Sequence, residues 1–211
     1  MTPTKATRLQ LQASLTNLVY PISFHVVNHS APVQLFEDER IVIGGFPMQH
    51  RIPTTGFLFA EKAFPRKINL EATETYGVPY TFFEDLKSGA DYVTDKGETI
   101  ANEVLTIDPG QPRSFASCSD TGFFEALPGY INGCDLMYHE ATFMNDLAAV
   151  AREKMHSTAG DAAKVAELAK AGRLLIGHFS ARYENLGQLL DEARRIFPAT
   201  ELAEEGKTYT L

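Results

Sequence analysis

The chain has 211 residues and a formal net charge of −8, and it is 44% hydrophobic and 22% charged. That composition supports one sizeable core and excludes a disordered protein. No apolar run approaches the roughly 20 residues of a membrane helix, and the polar stretch Met1–Arg8 does not have the order of regions found in a signal peptide. The acidic balance argues against an architectural DNA binder, because phosphate contacts need Lys and Arg, but it leaves room for a nuclease that works through a metal or a local basic patch. Cys118 and Cys134 make no disulfide framework, so a reduced, cytoplasmic protein is the expectation.

In chain order, residues 5–18 place Leu9, Leu11, Leu15 and Leu18 among polar residues and predict an amphipathic helix. From Tyr20 to Glu61 the pattern is strand-like. Ile22, Phe24 and Val26 alternate with Ser23, His25 and Val27, then VQLF, the charged turn Glu37-Asp38-Glu39, RIVIGGF and TGFLFAE follow, which predicts antiparallel sheet. Residues 62–112 carry scattered Pro and Gly and many charges, and read as an exposed, partly helical excursion. RSFASCS and DLMYH read as strands and NDLAAVAREKM as a helix. Thr158–Ala171 reads as a second helix with Gly172 as its C-cap, and RLLIGHF as a strand. Leu186, Leu189, Leu190, Ala193 and Phe197 define a last helix stopped by Pro198, with short strands near Leu202 and Tyr209. Strands alternating with helices make the class α/β, with Phe24, Leu58, Leu136, Leu175 and Ile176 in the core.

Four polar residues fall at element ends: His50 in PMQHRIPTTG, Asp120 in SCSDTG, His156 in MHSTAGD and His178 in LIGHFSARY. Imidazole and carboxylate suit zinc or manganese. Each also has a plain structural reading. A strand-end His can be a hydrogen-bonded structural residue, Asp120-Thr121-Gly122 can be a turn, and Thr158 with Asp161 fits a capping box that makes His156 only part of a helix start.

The longer strings HRIPTTGFLFAEK, CSDTGF, YHEATF, HSTAGDAA and IGHFSARY, in this order, resemble the later motifs of ribonuclease Z, the tRNA 3′-processing branch of the metallo-β-lactamase superfamily. The resemblance runs from about Tyr20 to Leu211, and KSGADYVTDKGE resembles a segment of one bacterial variant. It implies a partial metallo-β-lactamase αββα sandwich, an endoribonuclease acting on precursor tRNA, two zinc ions and a homodimer. It also implies roles. His50 would hold one zinc, His178 the other, and Asp120 would bridge them. His156 would stabilise charge on the phosphate or protonate the leaving oxygen. Glu140, with His139, would orient His156 or a ligand. Ser180 and Arg182 would contact substrate phosphate, and residues 62–112, beginning with Lys62, Arg66 and Lys67, would form the arm that grips tRNA.

One departure stands out. The family's His-x-His-x-Asp-His motif is absent, since no two of the six histidines are two residues apart. The chain therefore reads as the C-terminal half to two thirds of the family pattern, with too few ligands for two ions and no expected activity by itself. A non-catalytic fragment and another hydrolase of the same fold remain the alternatives.

Overall fold

The charged turn closes the first hairpin: Asp38 Oδ1 accepts N–H bonds from Arg40 (2.7 Å) and Ile41 (2.8 Å). In the computed structural model the described residues are 20, 21, 23, 25–27 and 30–211. The predicted helix over 5–18 and the core position Phe24 lie outside them. Of the predicted strand around residues 22–26, His25 and Val26 are irregular, and Val26 is exposed with no strand beside it among the described residues.

Chain order gives β1 (Val33–Glu37), β2 (Ile41–Met48), β3 (Thr54–Glu61), β4 (Lys67–Ile68), α1 (Leu70–Thr75), α2 (Phe83–Lys87), β5 (Tyr92–Val93), β6 (Thr99–Ile100), α3 (Asn102–Leu105), β7 (Thr106–Ile107) and β8 (Ser114–Cys118). Then come α4 (Leu127–Tyr130), β9 (Leu136–Glu140), α5 (Ala148–Lys154), α6 (Ala159–Ala169), β10 (Arg173–Gly177), α7 (Gly187–Arg194) and β11 (Thr200–Leu202). The main sheet has seven strands in the order β1-β2-β3-β8-β9-β10-β11. Pairing is antiparallel from β1 to β8 and parallel from β8 to β11.

The parallel half needs crossovers, and the sequence supplies helices with apolar faces for them. Ala159, Ala162, Ala163 and Ala166 of α6 are fully buried, and α6 packs on β9, β10, α4 and α7. Small side chains let the helix lie close to Met137, Leu174 and Ile176 in the main core. Of the other predicted core residues, Leu136 and Leu175 are buried and Leu58 packs partly buried against the core. α6 begins with both bonds of a capping box between Thr158 and Asp161. Its end differs from expectation: Lys170 adopts the left-handed conformation at φ 53° and is the C-cap. Gly172 serves another purpose, because a Cβ there would lie 2.6 Å from the Asp135 carbonyl oxygen. Tyr209 is not in a strand; its hydroxyl donates to the Leu202 carbonyl.

On the opposite face of the sheet Phe57, Phe59 and Phe115 form a ladder with centroid separations of 6.4 and 6.1 Å. Phe57 and Phe59 stay 36% and 38% exposed, so this apolar face is uncovered among the described residues. Residues 62–112 fold around their own small core of Val78, Leu86, Ile100 and Leu105, with the paired strands β4–β7 and β5–β6. Buried Asn102 ties this lobe together by donating to the carbonyls of Leu86 and Ala90, both at 2.8 Å. No helix among the described residues is long and apolar enough to cross a membrane. Cys118 and Cys134 are unpaired, and burial pushes both thiols up, Cys134 to about 11.

Candidate metal centre

β8, β9 and β10 are parallel neighbours, and β2 shares their direction through two antiparallel pairings by way of β3. All four strands therefore end at one edge of the sheet. His50 follows β2, Asp120 follows β8, Glu140 ends β9 and His178 follows β10. Loops at the carboxyl ends of such strands are where open α/β sheets gather functional groups.

The side chains converge there. Ligand-capable atoms of His50, Asp120 and His156 lie within 4.8 Å of one another, as do those of Glu140, His156 and His178. His178 Nε2 is 3.5 Å from Asp120 Oδ1. The His50 and His156 rings are 5.0 Å apart, edge to face, and the His156 and His178 rings are 5.5 Å apart and nearly parallel. His156 thus takes part in both groups.

Hydrogen bonds fix how the rings are presented. His50 Nδ1 lies 2.9 Å from the Met155 carbonyl, which can only accept, so Nδ1 carries the hydrogen and Nε2 is left open. Met155 ends α5 in the left-handed conformation at φ 56°. His156 Nδ1 is 2.7 Å from Glu140 Oε1. The Glu140 carboxylate is fully buried and also accepts from the Thr121 N–H, the Thr142 N–H and the Thr142 hydroxyl. Four donors fill its four lone-pair sites, which is what makes a buried carboxylate tolerable.

His139 differs from its neighbour. It is fully buried, its Nδ1 lies 2.7 Å from the Glu140 carbonyl, and its Nε2 has no partner among the described residues. Burial pushes its pKa down, partly offset by the bond to Glu140 and the charges of Glu140 and Asp161. It makes no hydrogen bond to His50, Asp120, His156 or His178, so the contact expected of His139 and Glu140 together is made by Glu140. Ser180 and Arg182 sit in the loop after His178, with Arg182 Nε donating to Ser180 Oγ at 3.1 Å and the guanidinium 5.2 Å from the Phe143 ring centroid. Lys62 and Arg66, at the start of the 62–112 lobe, are paired with Glu37 and Asp108.

Three hydroxyls complete the network, and nothing in the sequence marks them beyond their place inside the motifs. Thr121 Oγ1 accepts from the Gln49 N–H at 3.0 Å, tying the Asp120 loop to the His50 loop. Ser157 donates to the Thr121 carbonyl at 2.7 Å, tying both to the start of α6. Thr142 lies between Glu140 and His178.

Imidazoles with open nitrogens around a carboxylate form a donor set that fits a borderline divalent cation. The field agrees: the pKa of Tyr138 is raised by burial and then by the negative charges of Asp120 and Glu140. The metallo-β-lactamase-fold protein YhfI of Bacillus subtilis matches 98% of this chain and 62% of its own length at a TM-score of 0.57 and 16% identity. Human tRNase Z, short form, matches 95% and 61% at a TM-score of 0.54 and 22% identity. The fold is that of the metallo-β-lactamase class.

No protein-family model matches the chain. Among curated proteins, ribonuclease Z of Parabacteroides distasonis is 46% identical over 189 residues, 90% of this chain and 62% of that protein. Ribonuclease Z of Bacteroides fragilis is 44% identical over 194 residues, 92% and 64%, and that of Porphyromonas gingivalis strain W83 is 42% identical over 186 residues, 88% and 61%. The chain is a ribonuclease Z homologue that spans 61–64% of the length of these three relatives.

Proposed function

We propose that the protein to which this chain corresponds is an endoribonuclease that cleaves precursor tRNA at the 3′ end with the help of divalent zinc. The observation that carries this reading is the convergence of His50, Asp120, His156 and His178 at one sheet edge, in a homologue of ribonuclease Z. His50 and Asp120 would hold one ion and Asp120 and His178 another, since a carboxylate has two oxygens to share. Ions held there supply Lewis acidity toward a phosphoryl oxygen and lower the pKa of water.

The chain's own residues do the rest. His156, held by Glu140, directs its Nε2 toward the substrate, where as imidazolium it stabilises phosphate charge or passes a proton to the leaving 3′-oxygen. Arg182 and Ser180 bind a phosphate of the acceptor strand, for which the planar guanidinium is suited. The 62–112 lobe contacts the tRNA away from the metals. In this reading Lys67 offers charge at its base, since Lys62 and Arg66 beside it are engaged by acids.

The test is cleavage of a precursor tRNA with a 3′ trailer by the whole protein, before and after chelation and with zinc restored. Zinc-dependent release of the trailer is expected. Hydrolysis of a small phosphodiester with no cleavage of precursor tRNA would refute the substrate, and chelator-resistant cleavage would refute the metal.

A further inference from the structure

We propose that the Thr142 hydroxyl is the positioning group that joins Glu140 to His178 and holds His178 with its Nε2 lone pair facing Asp120. Thr142 is nearly buried, and its one hydroxyl proton has two oxygen acceptors in reach, Glu140 Oε2 at 2.6 Å and the His178 carbonyl at 3.0 Å, besides the ring nitrogens His178 Nδ1 at 3.0 Å and His156 Nδ1 at 3.4 Å. A hydrogen bond to a carboxylate is the shorter and stronger kind, so the proton goes to Glu140. The Thr142 oxygen is then an acceptor, and His178 Nδ1 lies 3.0 Å from it. Nδ1 must carry the hydrogen, which leaves the lone pair on Nε2, the atom 3.5 Å from Asp120.

The backbone reinforces this arrangement. The Thr142 N–H donates to the same Glu140 oxygen at 3.1 Å, and the Thr142 carbonyl accepts from the Ser180 N–H at 3.2 Å. His178 has φ 56°, an uncommon conformation for a residue with a side chain, and Thr142 reaches its ring while Ser180, two residues on, is tied back to Thr142. One buried carboxylate thereby sets two imidazoles, His156 directly and His178 through a hydroxyl. Valine has the shape of threonine without this relay, and serine keeps the relay.

The inference rests on the metal reading only for its consequence, that His178 is presented in the ligating tautomer. Long-range nitrogen–proton NMR of the metal-free chain at alkaline pH reads that tautomer. Nδ1–H is expected for His178 in the unsubstituted chain and in Thr142→Ser. An Nε2–H or mixed signal is expected in Thr142→Val, with the amide signals of α6 and α7 in place and zinc affinity about ten- to hundredfold lower. An Nε2–H or mixed signal in the unsubstituted chain overturns the proposal without reference to any variant, and so does an Nδ1–H signal that survives Thr142→Val. Zinc titration of the whole protein, which would carry the full ligand set, separates the two readings. If His178 shows Nδ1–H but its signals do not respond to zinc, the metal reading falls and the relay stands.

Discussion

Glu140 and His156 form a buried carboxylate–imidazole pair with Oε1 and Nδ1 2.7 Å apart, and the carboxylate is the more enclosed partner. It joins the loops after β8 and β9 to the residues before α6.

Glu140→Gln replaces an acceptor oxygen with an NH₂ group where every neighbour is a donor. Each buried donor left unsatisfied costs about 1–3 kcal/mol. We expect a clear drop in the urea midpoint with an unchanged slope, measured by circular dichroism. A midpoint equal to that of the unsubstituted chain would show that the four-donor arrangement contributes nothing.

His156→Ala separates two roles. The ring is within ligand distance of the His50–Asp120 group and is also held by Glu140. If it acts on the substrate, turnover of precursor tRNA by the whole protein falls about 10²- to 10⁴-fold while zinc content is unchanged. Loss of zinc in the variant, measured by atomic emission, would make it a ligand instead.

Much of this arrangement was legible in the sequence, for local reasons. Thr158 and Asp161 announced the start of α6, and the four candidate residues fell at element ends because strand ends are local features. Beyond the gathering of His50, Asp120 and His178 and the Glu140–His156 contact that the family resemblance implied, contacts across the chain were not legible. Thr121 and Thr142 look like ordinary motif threonines until β8, β9 and β10 pair and bring them against Glu140 and His178. Gly172 looked like a helix cap, but Lys170 takes the left-handed turn and the glycine is needed beside the Asp135 backbone, a tertiary demand. The 62–112 stretch looked irregular because its core draws single apolar residues from three short elements and a loop.

Thr158→Ala removes the side-chain half of the capping box and the bond from Thr158 Oγ1 to Asn145 Oδ1 at 2.7 Å. A loss of about 1–2 kcal/mol is expected. Chemical denaturation of Thr158→Ala and Thr158→Ser should show the serine variant close to the original.

His139 gives the fold a pH dependence. Burial holds its pKa below the usual 6.5, so the folded chain keeps it neutral where the unfolded chain takes up a proton. Its stabilising effect is full above 6.5 and is lost as pH falls toward the depressed value. His139→Leu should flatten the fall in stability on the acid side of 6.5, read from urea midpoints across a pH series. An unchanged slope would assign the dependence to other groups.

β3 and β8 are adjacent antiparallel strands, and at the point where the 62–112 lobe departs, the Arg113 guanidinium and N–H both engage the Glu61 carboxylate, while the Glu61 N–H donates to the Arg113 carbonyl. The lobe is therefore topologically the loop of a hairpin that is already closed at its neck. Such a loop can be lengthened, shortened or exchanged without redrawing the sheet. The lobe can thus diverge at its own pace while the sheet edge that carries His50, Asp120 and His178 stays fixed. A chimera carrying a short type I′ turn between Glu61 and Arg113 would be the minimal form of the scaffold.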